Sequence, residues 1–252
     1  MGNRGIALAT VTAGICLALA APTAAADADA LVPDRTALSF RTPLGFAWGT
    51  ANERQPRASL SLSKLFLVDY ALRHGDGSDT DRQLAERMIR LSDDGAADVM
   101  AAKYPQAIDT VAEEYHLTET RSAGHWSATR TSSADVADFL NAKLRSDPAS
   151  PILTWMAQAD RTAADGTEQN WGTAQLPRVL GTKWGWSDFG PPEVASASYG
   201  SGFAVAAHTY GTPADQTDDV LAAQVGLLGD LLATLPAKLV DILAERFRTT
   251  PR

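Results

Sequence analysis

The segment "PRASLSLSKLFLVDYALRHG" (residues 56–75) decides how the rest of the chain is read. Leu62, Leu65, Phe66, Tyr70 and Leu72, with Val68 and Ala71 between them, make a helix that is apolar nearly all round, which predicts a central, buried element. Its mouth carries Ser61-Leu62-Ser63-Lys64, an S-x-x-K. Residues three apart on a helix share a face, so Ser61 and Lys64 stack one above the other. Ser61 falls in the first turn, where backbone N–H groups lack intrahelical partners and can face an oxygen under attack. A lysine in apolar surroundings loses hydration of its charge, its pKa falls, and the neutral amine can take a serine proton. The plainer reading is a serine cap and a lysine whose stem covers apolar surface while its head reaches water. A single S-x-x-K arises by chance too often to choose between the two.

On either side of this helix the texture changes. Upstream, "TALSFRTPLGFAWGT" (residues 36–50) mixes aromatic and β-branched residues around Pro43 and Gly45, which predicts one or two short strands and a turn. Downstream, "TDRQLAERMIRL" (residues 80–91) reads as an amphipathic helix capped by Thr80 or Asp81. "GAADVMAAKY", "QAIDTVAEEYHL", "SADVADFLNAKL" and "PILTWMAQAD" continue the helical pattern. After Gln175, "PRVLGTKWGWS", "EVASASYG" and "GFAVAAHTYG" are three strand candidates separated by Gly and Pro turns, in the manner of an antiparallel meander. The segment at residues 220–247 reads as a long apolar-striped helix with an interruption near Pro236. Strands at both ends with helices between predict an α+β fold. Its antiparallel sheet is flanked by helices, and a helical lobe over about residues 61–165 sits between sheet segments 36–50 and 176–252.

The 252-residue chain carries a net charge of −8, which argues against nucleic acid or an anionic membrane surface as partner. Arg4, the apolar run "GIALATVTAGICLALAA" (residues 5–21) and the small residues after it read as a secretory signal peptide over residues 1–26. Cleavage is expected after Ala24 or Ala26, leaving an exported domain over 27–252 with no lasting membrane anchor. Cleavage removes Arg4 and no acid, so the charge moves to −9. Cys16 is the sole cysteine and lies in that segment behind Ile15, where a lipidated cysteine usually follows Gly or Ala. The exported part then holds no thiol or disulfide, and its length suffices to bury a core without one. With no repeat of fixed period, a single monomeric domain is expected.

Two further motifs follow the first in order. "MIRLSDDGAADVM" carries Ser92-Asp93-Asp94 after a helix, and "VLGTKWGWS" carries Lys183-Trp184-Gly185 on a strand. The set resembles the penicillin-recognising serine enzymes, class A β-lactamases and D,D-peptidases, with their S-x-x-K, S-D-N and K-T-G signatures. The likeness covers nearly all of residues 27–252. It is closest to small secreted actinobacterial serine hydrolase-like proteins that share a Trp just after the third motif's Gly. The resemblance implies Ser61 as nucleophile, Lys64 as its proton acceptor, Ser92 as the relay to the leaving nitrogen, and Lys183 as the group that holds Ser92 and attracts a substrate carboxylate. It also implies an oxyanion hole from the backbone N–H groups of Ser61 and Trp186, substrate contacts at Asp94, Trp184, Gly185 and Trp186, and no metal or other cofactor.

The departures from that pattern are specific. Asp94 stands where the family has Asn, and an ionised carboxylate accepts hydrogen bonds without donating any. Trp184 stands where a hydroxyl is usual, so the indole must turn away or fill part of the cleft; Thr182, next to Lys183, points to the opposite strand face. The short spacing from Ser61 to Ser92 predicts a trimmed helical lobe and a more open cleft. Class A enzymes also carry E-x-x-L-N, whose Glu activates the deacylating water. Here "DFLN" has Ala137 at the Glu position, Asp138 reads as the polar face of a helix, and Glu113, Glu114, Glu119 and Glu168 lack the context. Slow deacylation is the expectation.

The four histidines show no metal-ligand spacing; His74 reads as a helix C-terminal residue and His208 as structural. Trp171, Trp184 and Trp186 cluster around the third motif, either as core packing or as an aromatic wall for a peptide or glycan. The leading expectation is an exported serine acyl-enzyme hydrolase of a small molecule or peptidoglycan peptide. Its rivals are a cell-envelope binding module that has lost turnover and a lipid or ester hydrolase.

Overall fold

The computed structural model describes residues 31–233, with side chains through residue 224; the expected signal segment, Cys16 and the interruption near Pro236 lie outside the described residues. Strands β5 (Val179–Trp186), β6 (Glu193–Gly200) and β7 (Phe203–Tyr210) form the expected antiparallel meander. The N-terminal strand β1 (Thr36–Arg41) pairs antiparallel with β7, and β2 (Ala47–Gly49) lies beyond it. The sheet order is therefore β2-β1-β7-β6-β5, which leaves β5 on an edge.

Period-two alternation gives the sheet two different faces. Ala195, Ala197, Ala204 and Ala206 join the main core under the helices. Side chains this small let helices approach the sheet closely. On the other face Leu38 and Ala207 pack against Val220 and Ala223 of the C-terminal helix. Buried hydroxyls accompany them: Ser198 Oγ lies 2.7 Å from Thr173 Oγ1 and 2.7 Å from Thr182 Oγ1.

The first helix, α1 (Ser63–His74), runs through the middle of the helical lobe. Leu62, Leu65, Phe66, Leu67 and Val68 are all buried, as an all-round apolar sequence requires. Around it stand α2 (Asp79–Arg90), α3 (Asp94–Lys103), α4 (Ala107–Glu114), α5 (Ser133–Ser146) and α6 (Pro151–Ala157); α7 (Pro213–Ala233) covers the outer sheet face. A small ribbon joins β3 (Arg57–Ala58) to β4 (Arg130–Thr131). The cap of α2 corrects the sequence reading. Ser78 Oγ accepts from the Asp81 N–H at 3.2 Å, so Thr80 and Asp81 lie inside the first turn, where Asp81 is buried and ion-paired to Lys103. Among the described residues no helix is long and apolar enough to cross a membrane.

α1 and α5 are joined by more than apolar contact. Phe66 meets Phe139 edge to face at 5.3 Å, and Lys143 Nζ lies 2.9 Å from Asp69 Oδ1 with both side chains buried. Removing one member of a buried pair strands the other without compensation. Lys143→Ala is therefore expected to lower the free energy of unfolding by about 3 kcal/mol in urea denaturation. A change below about 1 kcal/mol would show that the contact between Asp69 and Arg73 suffices by itself.

Candidate active site

Three elements meet at the N-terminal end of α1. A 3-10 turn over Leu60–Leu62 leads into it, with Leu60 in the left-handed region at φ 51°. Ser61, 9 % exposed, opens to a cleft of about 400 Å³. One turn on, Lys64 is fully buried, so the surface-reaching lysine is excluded. Its Nζ lies 2.9 Å from Ser61 Oγ, 2.7 Å from the Ser92 carbonyl oxygen and 2.5 Å from Asp94 Oδ1.

These distances decide what Lys64 can do. The Ser92 carbonyl accepts only, and so does the Asp94 carboxylate when ionised; each takes an N–H. A neutral amine has two N–H bonds, so its lone pair is left facing the Ser61 hydroxyl, in position to accept a proton. An ammonium uses the third N–H on Ser61 instead. Burial lowers the Lys64 pKa below the ordinary lysine range, opposed by the hydrogen bond and charge of Asp94. The nitrogen also sits over the Trp126 ring, 4.6 Å from its centre.

The "SDD" residues divide three tasks. Ser92, left-handed at φ 54°, places Oγ 2.7 Å from Lys183 Nζ and 3.4 Å from Lys64 Nζ. Backbone conformations of this kind persist where the surroundings over-determine them. Asp93 caps α3, accepting from the Ala96 N–H at 2.9 Å, and pairs with Arg87. Asp94 opens α3 and turns one carboxylate oxygen to Lys64 while also lining the cleft.

β5 supplies the opposite wall, and strand alternation sorts its side chains. Lys183 and Gly185 face α1. Lys183 is fully buried, holds Ser92 Oγ, and donates to the Trp184 carbonyl at 2.9 Å. Burial, reinforced by the Lys64 charge, takes its pKa well below the ordinary lysine range, which weakens the expected attraction for a carboxylate. A Cβ on Gly185 would lie 2.7 Å from the Ser61 nitrogen and 2.8 Å from Leu60 Cβ, so only glycine lets the two backbones approach.

Trp184 turns to the other face and is buried against Trp171 and Val194, its indole N–H donating to the Trp171 carbonyl at 2.9 Å. It does not line the cleft, so the expected substrate contact at Trp184 is corrected: Trp171 and Trp184 are packing residues. Trp186 packs against them and does reach the cleft. The Ser187 N–H donates to the Glu193 carbonyl at 2.9 Å, so Ser187 and Glu193 form a hydrogen-bonded pair of the ladder. The neighbouring Trp186–Val194 pair then turns its backbone groups outward, to the free edge of β5.

The aromatic lining that exists is Trp126, Trp186 and Phe189, together with His125 and the carboxylates of Asp94, Asp98, Asp165 and Asp188. Asp98 was legible in principle, four residues after Asp94 on the same helix face. Trp126 and Asp165 come from connecting segments, where spacing carries no such signal. Among the described residues no glutamate lines this cleft, and Asp138 is ion-paired to Arg41 at 2.7 Å. His74 pairs with Glu114, while His208 lies 2.9 Å from Ser133 Oγ, its pKa pushed down to about 3 by burial and by Arg57.

No family model and no curated protein matches the chain. Solved structures do. A β-lactamase from Burkholderia vietnamiensis superimposes with a TM-score of 0.55 at 16% identity, covering 88% of this chain and 100% of that one. Penicillin-binding protein D2 from Listeria monocytogenes, with cefotaxime bound, gives 0.54 at 17% identity over 76% and 96%. A D-alanyl-D-alanine carboxypeptidase from Mycobacterium tuberculosis gives 0.56 at 16% identity over 82% and 94%. The chain therefore has the α+β fold of the serine β-lactamases and penicillin-binding proteins.

Asp94→Asn tests the electrostatics of Lys64 directly. It retains an oxygen acceptor and removes the charge that favours the ammonium, so the Lys64 titration, followed by NMR of its side chain, is expected to move to lower pH. A midpoint that stays in place would mean that solvent around the 61 % exposed Asp94 side chain screens its charge.

Proposed function

We propose that this chain is a serine acyl-enzyme hydrolase, built on the β-lactamase and D,D-peptidase fold and acting on an amide in peptidoglycan peptides or related envelope compounds. One observation carries the reading: Ser61 Oγ, Lys64 Nζ, Ser92 Oγ and Lys183 Nζ form a continuous chain of contacts beside a cleft. Neutral Lys64 takes the Ser61 proton as the oxygen attacks the carbonyl carbon. The Ser61 and Trp186 N–H groups stabilise the oxyanion. Ser92, bridging both lysines, returns a proton to the leaving nitrogen as the C–N bond breaks, and water then hydrolyses the acyl-serine ester.

The outward placement of Trp184 supports turnover over a binding module whose cleft is plugged. The lack of a glutamate among the described residues of the cleft supports slow deacylation, with β-lactams as acylating inhibitors or slow substrates. The apolar run at residues 5–21 supports export, hence an extracellular or envelope substrate.

Intact-protein mass after incubation with a fluorescent penicillin, and separately with an uncharged acyl thioester, tests this reading. A single adduct is expected on the wild type and none on Ser61→Ala or Lys64→Ala; no adduct with either reagent overturns it. Gly185→Ala should slow acylation by at least about 100-fold, the cost of misplacing an oxyanion donor. An unchanged rate would mean that the β5 edge takes no part.

A further inference from the structure

The acyl-transfer cleft has a sign. Among the described residues its lining includes Asp94, Asp98, Asp165 and Asp188 and no lysine or arginine side chain, while Lys64 and Lys183 lie fully buried beneath it. Only part of that negative charge is cancelled locally. Asp94 pairs with Lys64, and Asp98 accepts from the Trp126 indole N–H at 2.7 Å and faces His125 at 3.4 Å. Asp165 accepts from the Trp186 indole at 3.1 Å and from the Thr167 N–H at 2.9 Å, neither of which is a cation.

We propose that this cleft selects acyl donors that carry an ammonium group. The inference rests on the acyl-transfer reading for the place of reaction and adds the chemical class of substrate. The site is the nucleophile's own cleft, with Ser61 opening into it; the acids set which charge it admits. Three observations point the same way. Carboxylates on both walls, Asp98 on α3 and Asp188 after β5, flank the space above Ser61. Trp126, Trp186 and Phe189, the last 92 % exposed, supply aromatic faces that attract an organic cation. At the third motif a substrate carboxylate meets neither the usual hydroxyl nor an uncommitted ammonium, because Trp184 stands in that position and turns to the other strand face, and Lys183 is committed to Ser92 and a carbonyl. The carboxylates are too dispersed for a metal: among the described residues no group of three or more His, Cys, Asp or Glu could hold a metal ion. A bulkier organic ammonium, reaching several of them at once, fits that spacing.

The test separates this selectivity from turnover. Ser61→Ala protein is titrated with Nα-acetyl-lysyl-D-alanine amide and with the same peptide acetylated on the side-chain nitrogen, followed by tryptophan fluorescence. The free-amine peptide is expected to bind about tenfold more tightly at low ionic strength, with the ratio shrinking at 200 mM salt, as an electrostatic preference must. Adding Asp98→Asn and Asp188→Asn should bring the ratio close to one. Equal affinity for the two peptides, or no measurable binding of either, overturns the proposal whatever the wild type does with a penicillin. Conversely, a clear preference stands even where no acyl adduct forms, and the failure is then that of the acyl-transfer reading alone.

Discussion

Everything in the cleft depends on one buried nitrogen. Lys64 is sealed from water, and a cation there is tolerable only because oxygen atoms surround it: a carbonyl, a carboxylate and a hydroxyl. Two of those partners can only accept, so the third direction belongs to Ser61 in either protonation state. The same contacts tie α1 to the Ser92 turn and to the start of α3. Chemistry and packing are thus one constraint, which explains why Ser92 is held in a left-handed conformation that a serine rarely adopts.

Asp94 gives this arrangement its own character. An amide at that position would offer Lys64 an oxygen without a charge. The carboxylate offers both, strengthening the hold on Lys64 while favouring the ammonium over the amine. Because Asp94 is largely exposed, water weakens that preference, and burial of Lys64 pulls the other way. Lys183 is wholly buried and hydrogen-bonded to a hydroxyl and a carbonyl rather than to a carboxylate, so burial and the charge of Lys64 bias it toward the neutral form.

β5 shows how a fold can absorb a large change in a short motif. A tryptophan beside Lys183 looks obstructive in one dimension. On a strand it points the other way, into a pocket formed by Trp171 and Val194 that also satisfies its N–H. Gly185 is less negotiable, since its missing side chain is what lets the strand edge and the Ser61 nitrogen share one small space. The edge position of β5 leaves its outward N–H groups unclaimed by another strand.

The sequence by itself determined the α+β order of elements, the central apolar helix and the terminal meander, each of which rests on short-range periodicity that a linear reading resolves. It singled out Ser61, Lys64, Ser92 and Lys183 only through the resemblance of three motifs in order, and the structure brings those four side chains together. It could not settle the cap of α2, where Ser78, Thr80 and Asp81 compete within four residues and the tertiary pairing of Asp81 with Lys103 selects the outcome. Nor could it say that Asp94 would serve Lys64, that Trp184 would be core, or that Trp126, Asp98, Asp165 and Asp188 would line one cleft with Ser61. Those residues lie up to about 130 positions apart, and only the packing of β5 and two connecting segments against α1 and α3 brings their side chains within range of one another. Charge and burial at a site are sums over such distant neighbours, so the tertiary structure alone decided them.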